Sequence, residues 1–266
     1  MAIELTTANS SQLQGIRESL GVSKFFSPKD YGASGDGQKI LGMSKASGST
    51  TVLTGAPAGT FTASDVGKVA WAILTGGTVV VSQGTITSVN SDTSVTLSGT
   101  ANGSSFSGSV VLFFGADDTA SIQACWAATK AAGGIMYIPI GNYFVNRQVA
   151  GVDVDDSKLT SIIGDGSLHS RITLMPDFSF SGAVGTGVIY LRNSGFVSCC
   201  GIGIDGGSFS FSFSGYFGFF LSNLSSSAKQ RNSGLFVDLS IEDHKGFTAS
   251  IAFETTYNTK IESLIA

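Results

Sequence analysis

Apolar residues recur along most of this chain in short runs, separated by small polar residues and glycine; only two segments carry a helical period. The first is Leu13, Ile16 and Leu20, with Ser10 or Ser11 as the cap and Gly21 as the stop. A helix this short is marginal alone and needs a partner, either the rest of its own domain or further copies of itself. The second is Ile122, Cys125, Trp126 and Thr129, opened by Asp117 and Asp118 at its N-terminus and ended by Gly133 and Gly134. Elsewhere the pattern predicts strands. Val69–Leu74, Thr78–Val81, Gly84–Val89, Ser94–Leu97 and Val110–Phe114 are rich in Thr, Val and Ile and are divided by turn residues, so 38–115 reads as a small antiparallel barrel or sandwich.

After the second helix, Ile135–Pro139 and Tyr143–Val145 read as a strand pair. Short runs then follow at Ser161–Ile163, Ile172–Leu174, Val188–Leu191, Gly201–Ile204, Gly218–Leu221, Leu235–Val237, Ser240–Ile241, Ser250–Phe253 and Lys260–Ile265. Their corners carry Asn, Gly, Asp and Ser. The run Gly201–Gly206 resembles Leu235–Asp243 in pattern. Strands of this length at this spacing suit a parallel solenoid with a coil period in the twenties.

Composition narrows the class. Charged residues make up 13% of 266, against about 25% in an ordinary soluble domain, and there are 35 Gly, 19 Phe and 4 Pro. Disorder, collagen, coiled coils and helical repeats are excluded on these grounds. Fifteen Lys and Arg against nineteen Asp and Glu, with no basic run, argue against nucleic-acid binding. A mean hydropathy of +0.27 without any apolar run of membrane-spanning length implies a dry interior or a large oligomer interface, and no membrane insertion. Three cysteines, two of them adjacent, make no disulfide framework, and the first residues show no secretory signal.

Three linked pieces carry a family resemblance. Lys29-Asp30-Tyr31-Gly32-Ala33-x-Gly35-Asp36-Gly37 is followed by Asp117-Asp118-Thr119-Ala120-Ser121-Ile122-Gln123-Ala124, and then by Gly133-Gly134-x-x-Tyr137-Ile138-Pro139-x-Gly141-x-Tyr143. In this order they resemble the opening module of the pectate-lyase-like right-handed parallel β-helix superfamily. Here the first two pieces are separated by the 38–115 unit. Its Phe61–Lys68 segment looks like an insert found in phage-encoded members, so the chain resembles a phage tailspike or tail fibre.

The resemblance implies an all-β fold: the start of a right-handed parallel β-helix, one capping helix and an inserted antiparallel β domain. It implies an N-terminal arm at 1–25 for virion attachment, an opening module at 26–37 and 116–145, an insert at 38–115, and β-helix rungs at 146–266. The last rungs read as unfinished, which suggests a longer native chain. It further implies a homotrimer in the virion, made in the host cytoplasm, that contacts other phage tail proteins through its N-terminus and binds bacterial surface polysaccharide. Two alternatives stay open: a free polysaccharide lyase or glycoside hydrolase, and a structural tail adaptor without catalysis.

Glycoside hydrolysis needs two carboxylates across the bond, and elimination needs a base. The candidates are Asp205, Asp238, Glu242, Asp243 and Glu254; Glu242 and Asp243 sit beside His244 and Lys245 in the densest ionisable cluster. The bland reading of that cluster is an outward, solvated loop. Asp155 and Asp156 form an acidic pair able to offer oxygen ligands to Ca²⁺, or simply a corner. Two histidines without matching cysteines give no zinc site, and Gly201-x-Gly203 opens no helix, so no cofactor is implied. Phe209, Phe211 and Phe213 alternate with Ser and fit core stacking, a trimer interface or sugar stacking. Asp30, Tyr31, Gly32, Gly35, Asp36, Gly37, Asp117, Asp118, Gly133, Gly134 and Pro139 read as the structural motif of the opening module.

Overall fold

The computed structural model describes residues 24–48, 51–75, 79–99, 102–149, 160–180, 187–192, 196–206, 217–222, 233–242, 249–254 and 259–265. Among these described residues there are seventeen strands and one α-helix: β1 (Phe25–Phe26), β2 (Gln38–Lys45), β3 (Val52–Thr54), β4 (Val69–Leu74), β5 (Val80–Ser91), β6 (Ser94–Leu97), β7 (Phe106–Gly115), α1 (Thr119–Ala132), β8 (Ile135–Ile138), β9 (Gly141–Arg147), β10 (Thr160–Gly164), β11 (Ser170–Ser179), β12 (Gly187–Arg192), β13 (Phe196–Asp205), β14 (Phe217–Ser222), β15 (Ser233–Glu242), β16 (Ala249–Glu254) and β17 (Thr259–Ile265). The first helix expected from the sequence, along with Phe209, Phe211 and Phe213, lies outside the described residues.

Strands β2 to β7 close into an antiparallel barrel in the order β2-β3-β6-β5-β4-β7. Two of them are apolar on both faces, and the packing gives the reason. Ala70 and Ala72 of β4, with Val110, Leu112 and Phe114 of β7, fill the barrel. The alternate residues Trp71, Ile73, Val111 and Phe113 point the other way, onto Phe144 and Met175 of the parallel strands. Trp71 stacks on Phe113 with centroids 5.2 Å apart and meets Phe144 at 4.7 Å.

The other strands pair in parallel, in three ladders. The first runs β1-β8-β10 and on through the leading halves of β13, β15 and β17. The second runs β9-β11 and on through the trailing halves of β13 and β15. The third is β12-β14-β16. From β10 onward the described strands take these ladders in the order first, second, third. Each ladder sends a row inward: Met136, Ile162 and Cys199 from the first, Tyr143, Ile172 and Ile204 from the second, Ile189 and Phe219 from the third. All of them join one core, which α1 covers with Ile122, Cys125 and Trp126. The step between parallel partners is uneven: some fall in the expected twenties and others exceed them. Gly234 pairs with Thr259, a step of 25, whereas Phe196 pairs with Ser233, a step of 37. Loops of unequal length between the strands blur the repeat.

The two ends of the barrel segment are both anchored on β9. Asp36 and Asp117 each form a parallel bridge to β9, with Asn142 and Phe144. Between these two attachments the chain leaves at Gly37 and returns at Gly115. A Cβ on Gly115 would lie 2.8 Å from Gly37 Cα, and one on Gly37 would lie 2.7 Å from Asn142 O, so the two crossing strands leave room for glycine only.

Candidate functional site

The opening motif is wired for structure. Residues 28–31 form a 3₁₀ turn that Ser27 caps and Gly32 ends at φ 92°. Asp118 was expected to cap α1, but its side chain makes no capping bond. Its carboxylate accepts the Ser34 and Gly35 amides instead, at 2.6 and 2.9 Å. Burial pushes the Asp118 carboxyl up, against the pull of those two N–H donors. Asp117 takes the local role, accepting from Thr119 N at 3.0 Å and from Asn146 Nδ2 at 3.1 Å. Asp36 accepts from Ala116 N at 2.9 Å and pairs with Lys68 of the barrel at 2.7 Å. Lys68 also pairs with Asp65 at 2.8 Å. Burial opposes the charge on Asp36, but Lys68 and the Ala116 amide outweigh it and hold the carboxyl low. Gly133 ends α1 at φ 63°, Gly134 lies against Lys24 O, and Pro139 O accepts the Tyr143 hydroxyl. Asp30 and Tyr31 are exposed within the turn.

Of the acidic candidates, the structure brings two together. Asp205 and Glu242 are register partners on adjacent strands of the second ladder, about 4.8 Å apart across the strands. Asp205 is only 4% exposed, and its carboxylate is held by Arg171 at 2.8 Å. Glu254 is placed elsewhere, in the third ladder opposite Ser222. Asp238 is a corner residue at φ 50°, aligned with Gly201 of β13 at φ 65°. Its carboxylate accepts from Ser167 N at 3.0 Å and Ser167 Oγ at 2.7 Å, which pins the turn between β10 and β11. Asp243, His244, Lys245, Asp155 and Asp156 lie outside the described residues. Among the described residues no group of three His, Cys, Asp or Glu is placed to hold a metal. Cys125 and Cys199 are buried and free, and burial pushes the Cys125 thiol up to about 12.

Sequence reasoning missed a cavity of about 330 Å³ in the crease between the barrel and β11. Its walls come from β4 and β5 on one side and from Met175, Pro176 and Asp177 on the other. Nothing in the sequence pattern links segments about ninety positions apart. The only hint is that the run at β4 is apolar at every position, the mark of a strand buried on both faces.

No family model and no curated protein matches the chain. A solved structure described as "Crystal structure of Agl-KA catalytic domain" is similar over 85% of this chain at 12% identity, with a TM-score of 0.28; this chain spans 55% of that one.

Proposed function

We propose that the three parallel ladders are the start of a right-handed parallel β-helix of the pectate-lyase-like kind, and that the chain is a component of a homotrimeric phage tailspike or tail fibre that recognises bacterial surface polysaccharide. One observation carries the reading. The two halves of the resemblance, Ser34–Gly37 and Ala116–Asp118, close on each other and on β9 through Asp118 and Asp36, so they act as a single unit despite the barrel between them. Neighbouring strands paired by parallel register, with an inward row from each ladder, support the β-helix part.

The test is the mass of the purified native protein by light scattering, with antibody labelling of intact virions. A trimer and label on the tail are expected. A monomer, or virions without label, overturns the reading. A second reading, a free polysaccharide lyase or hydrolase, is favoured by the register of Asp205 with Glu242. A reducing-end assay on capsular and pectic polysaccharides separates the two: release of sugar ends that is abolished by Glu242→Gln supports the enzyme, and no release supports an adhesive tail part.

A further inference from the structure

We propose that the crease between the barrel and β11 is a subsite for one neutral monosaccharide unit of a glycan. The choice of a glycan rests on the surface-polysaccharide reading above; the shape and chemistry of the site are independent of it. At about 330 Å³ the cavity lies at the small end of the range for ligand sites, and it sits where two structural units meet, a usual place for such sites.

Its floor is apolar and fixed. Ala70, Trp71 and Met175 line it and are buried. Trp71 is held between Phe113 and Phe144 at ring distances of 5.2 and 4.7 Å, so little order need be gained on binding. The rim is polar. Gln83 and Asp177 are exposed and Thr85 half-exposed. Gln83 offers an amide that donates and accepts, Thr85 a hydroxyl that does both, and Asp177 a carboxylate that only accepts. A pyranose has the complementary surface: one face of C–H groups and an edge of hydroxyls that donate and accept.

The same set argues against other ligand classes. Among the described residues that line the cavity there is no Lys, Arg or His, so a phosphate or a uronic acid would meet Asp177 without a cation to offset it. A single carboxylate is too few oxygens for a divalent cation. A wholly apolar ligand would leave three polar rim groups desolvated.

Saturation-transfer NMR tests this on the native chain, with methyl glycosides of glucose, galactose and rhamnose as neutral probes and galacturonate as the acidic one. At least one neutral glycoside is expected to bind, and galacturonate to give no signal. Asp177→Ala and Gln83→Ala lie on the exposed rim. At least one of them is expected to weaken binding about fivefold, the effect of one lost hydrogen bond, with an unchanged melting temperature. The proposal is overturned if none of the neutral glycosides binds, if neither substitution weakens binding, or if galacturonate binds as well as they do. Failure here with label still on the virion tail removes the subsite and leaves the tail reading; binding here with virions unlabelled does the reverse.

Discussion

The barrel and the ladders solve the same problem, that of pairing every strand, in opposite ways. In the barrel, β4, β5 and β6 are joined by short hairpins and the sheet closes on itself. In the ladders no strand pairs with its neighbour in sequence: from β8 onward parallel partners stand 25 to 37 residues apart, and β1 pairs with β8 across the whole barrel. Local pairing forms fast and leaves no edges; parallel pairing across a circuit is slow and leaves an edge at each end. Strand pairing is therefore complete within the barrel, although one of its faces is buried on the ladders, whereas pairing in the ladders depends on stacking. The chain carries two tryptophans, and each reports on one unit: Trp71 on the barrel and Trp126, in α1, on the ladders. Single-tryptophan versions (Trp71→Phe or Trp126→Phe) let the two be followed separately.

The largest effect is expected where they touch. Phe144→Ala removes a fully buried ring from the junction and should cost roughly 3–5 kcal/mol. Chemical denaturation should show Trp71 emission, followed in the Trp126→Phe background, shifting red at lower denaturant than Trp126 emission, followed in the Trp71→Phe background; coincident transitions would mean the units do not uncouple there. Next, Asp118→Ala deletes two charge-assisted bonds to Ser34 and Gly35, with an expected loss of about 2–3 kcal/mol by calorimetry. Asp118→Asn, which keeps one acceptor, should lose less, and the damage should register first at Trp126.

A smaller loss, about 1–2 kcal/mol, is expected for Asp238→Ala, which keeps the left-handed backbone but drops both bonds to Ser167. Asp238→Gly relieves the backbone and should recover part of it; if Gly is worse than Ala, the corner is not strained. The smallest is Lys68→Met, about 1 kcal/mol or less, because the ammonium is partly exposed. Its effect should be pH-dependent. Asp36 and Asp65 lie below the usual carboxylate range. They therefore add stability above about pH 4, which is lost as pH falls through their lower folded values. Asp118, raised by burial, has the opposite sign and is relieved by acid. Acid titration of Trp71 emission should thus show a low-pH loosening of the barrel that Lys68→Met abolishes.

Much of this was legible in the sequence. The runs Val69–Leu74 and Ser94–Leu97 coincide with β4 and β6, and each short run after Tyr143 falls inside a strand of a ladder. Part of the likeness between Gly201–Gly206 and Leu235–Asp243 is contact, since Ile202–Asp205 pair in register with Leu239–Glu242. What escaped did so for physical reasons. In β2, Gly42 at φ 75° and two register shifts break the alternation on which a strand is recognised, and β3 has only three residues. Asp118 looked like a local cap because its true partners are 83 and 84 residues away. The acidic candidates gave types without neighbours: Arg171 claims Asp205, Ser167 claims Asp238, and the crease is built from segments that no spacing rule connects.

The glycine pair at Gly37 and Gly115 has an evolutionary consequence. Because the outgoing and returning strands pass within van der Waals contact, a segment of any length whose two ends lie equally close could stand in place of 38–115 without moving β9. A successor segment would inherit one obligation, to present an apolar face to Phe144 and Met175. Lineages that swap such cassettes should therefore vary freely around the outside of this unit while keeping that one greasy footprint.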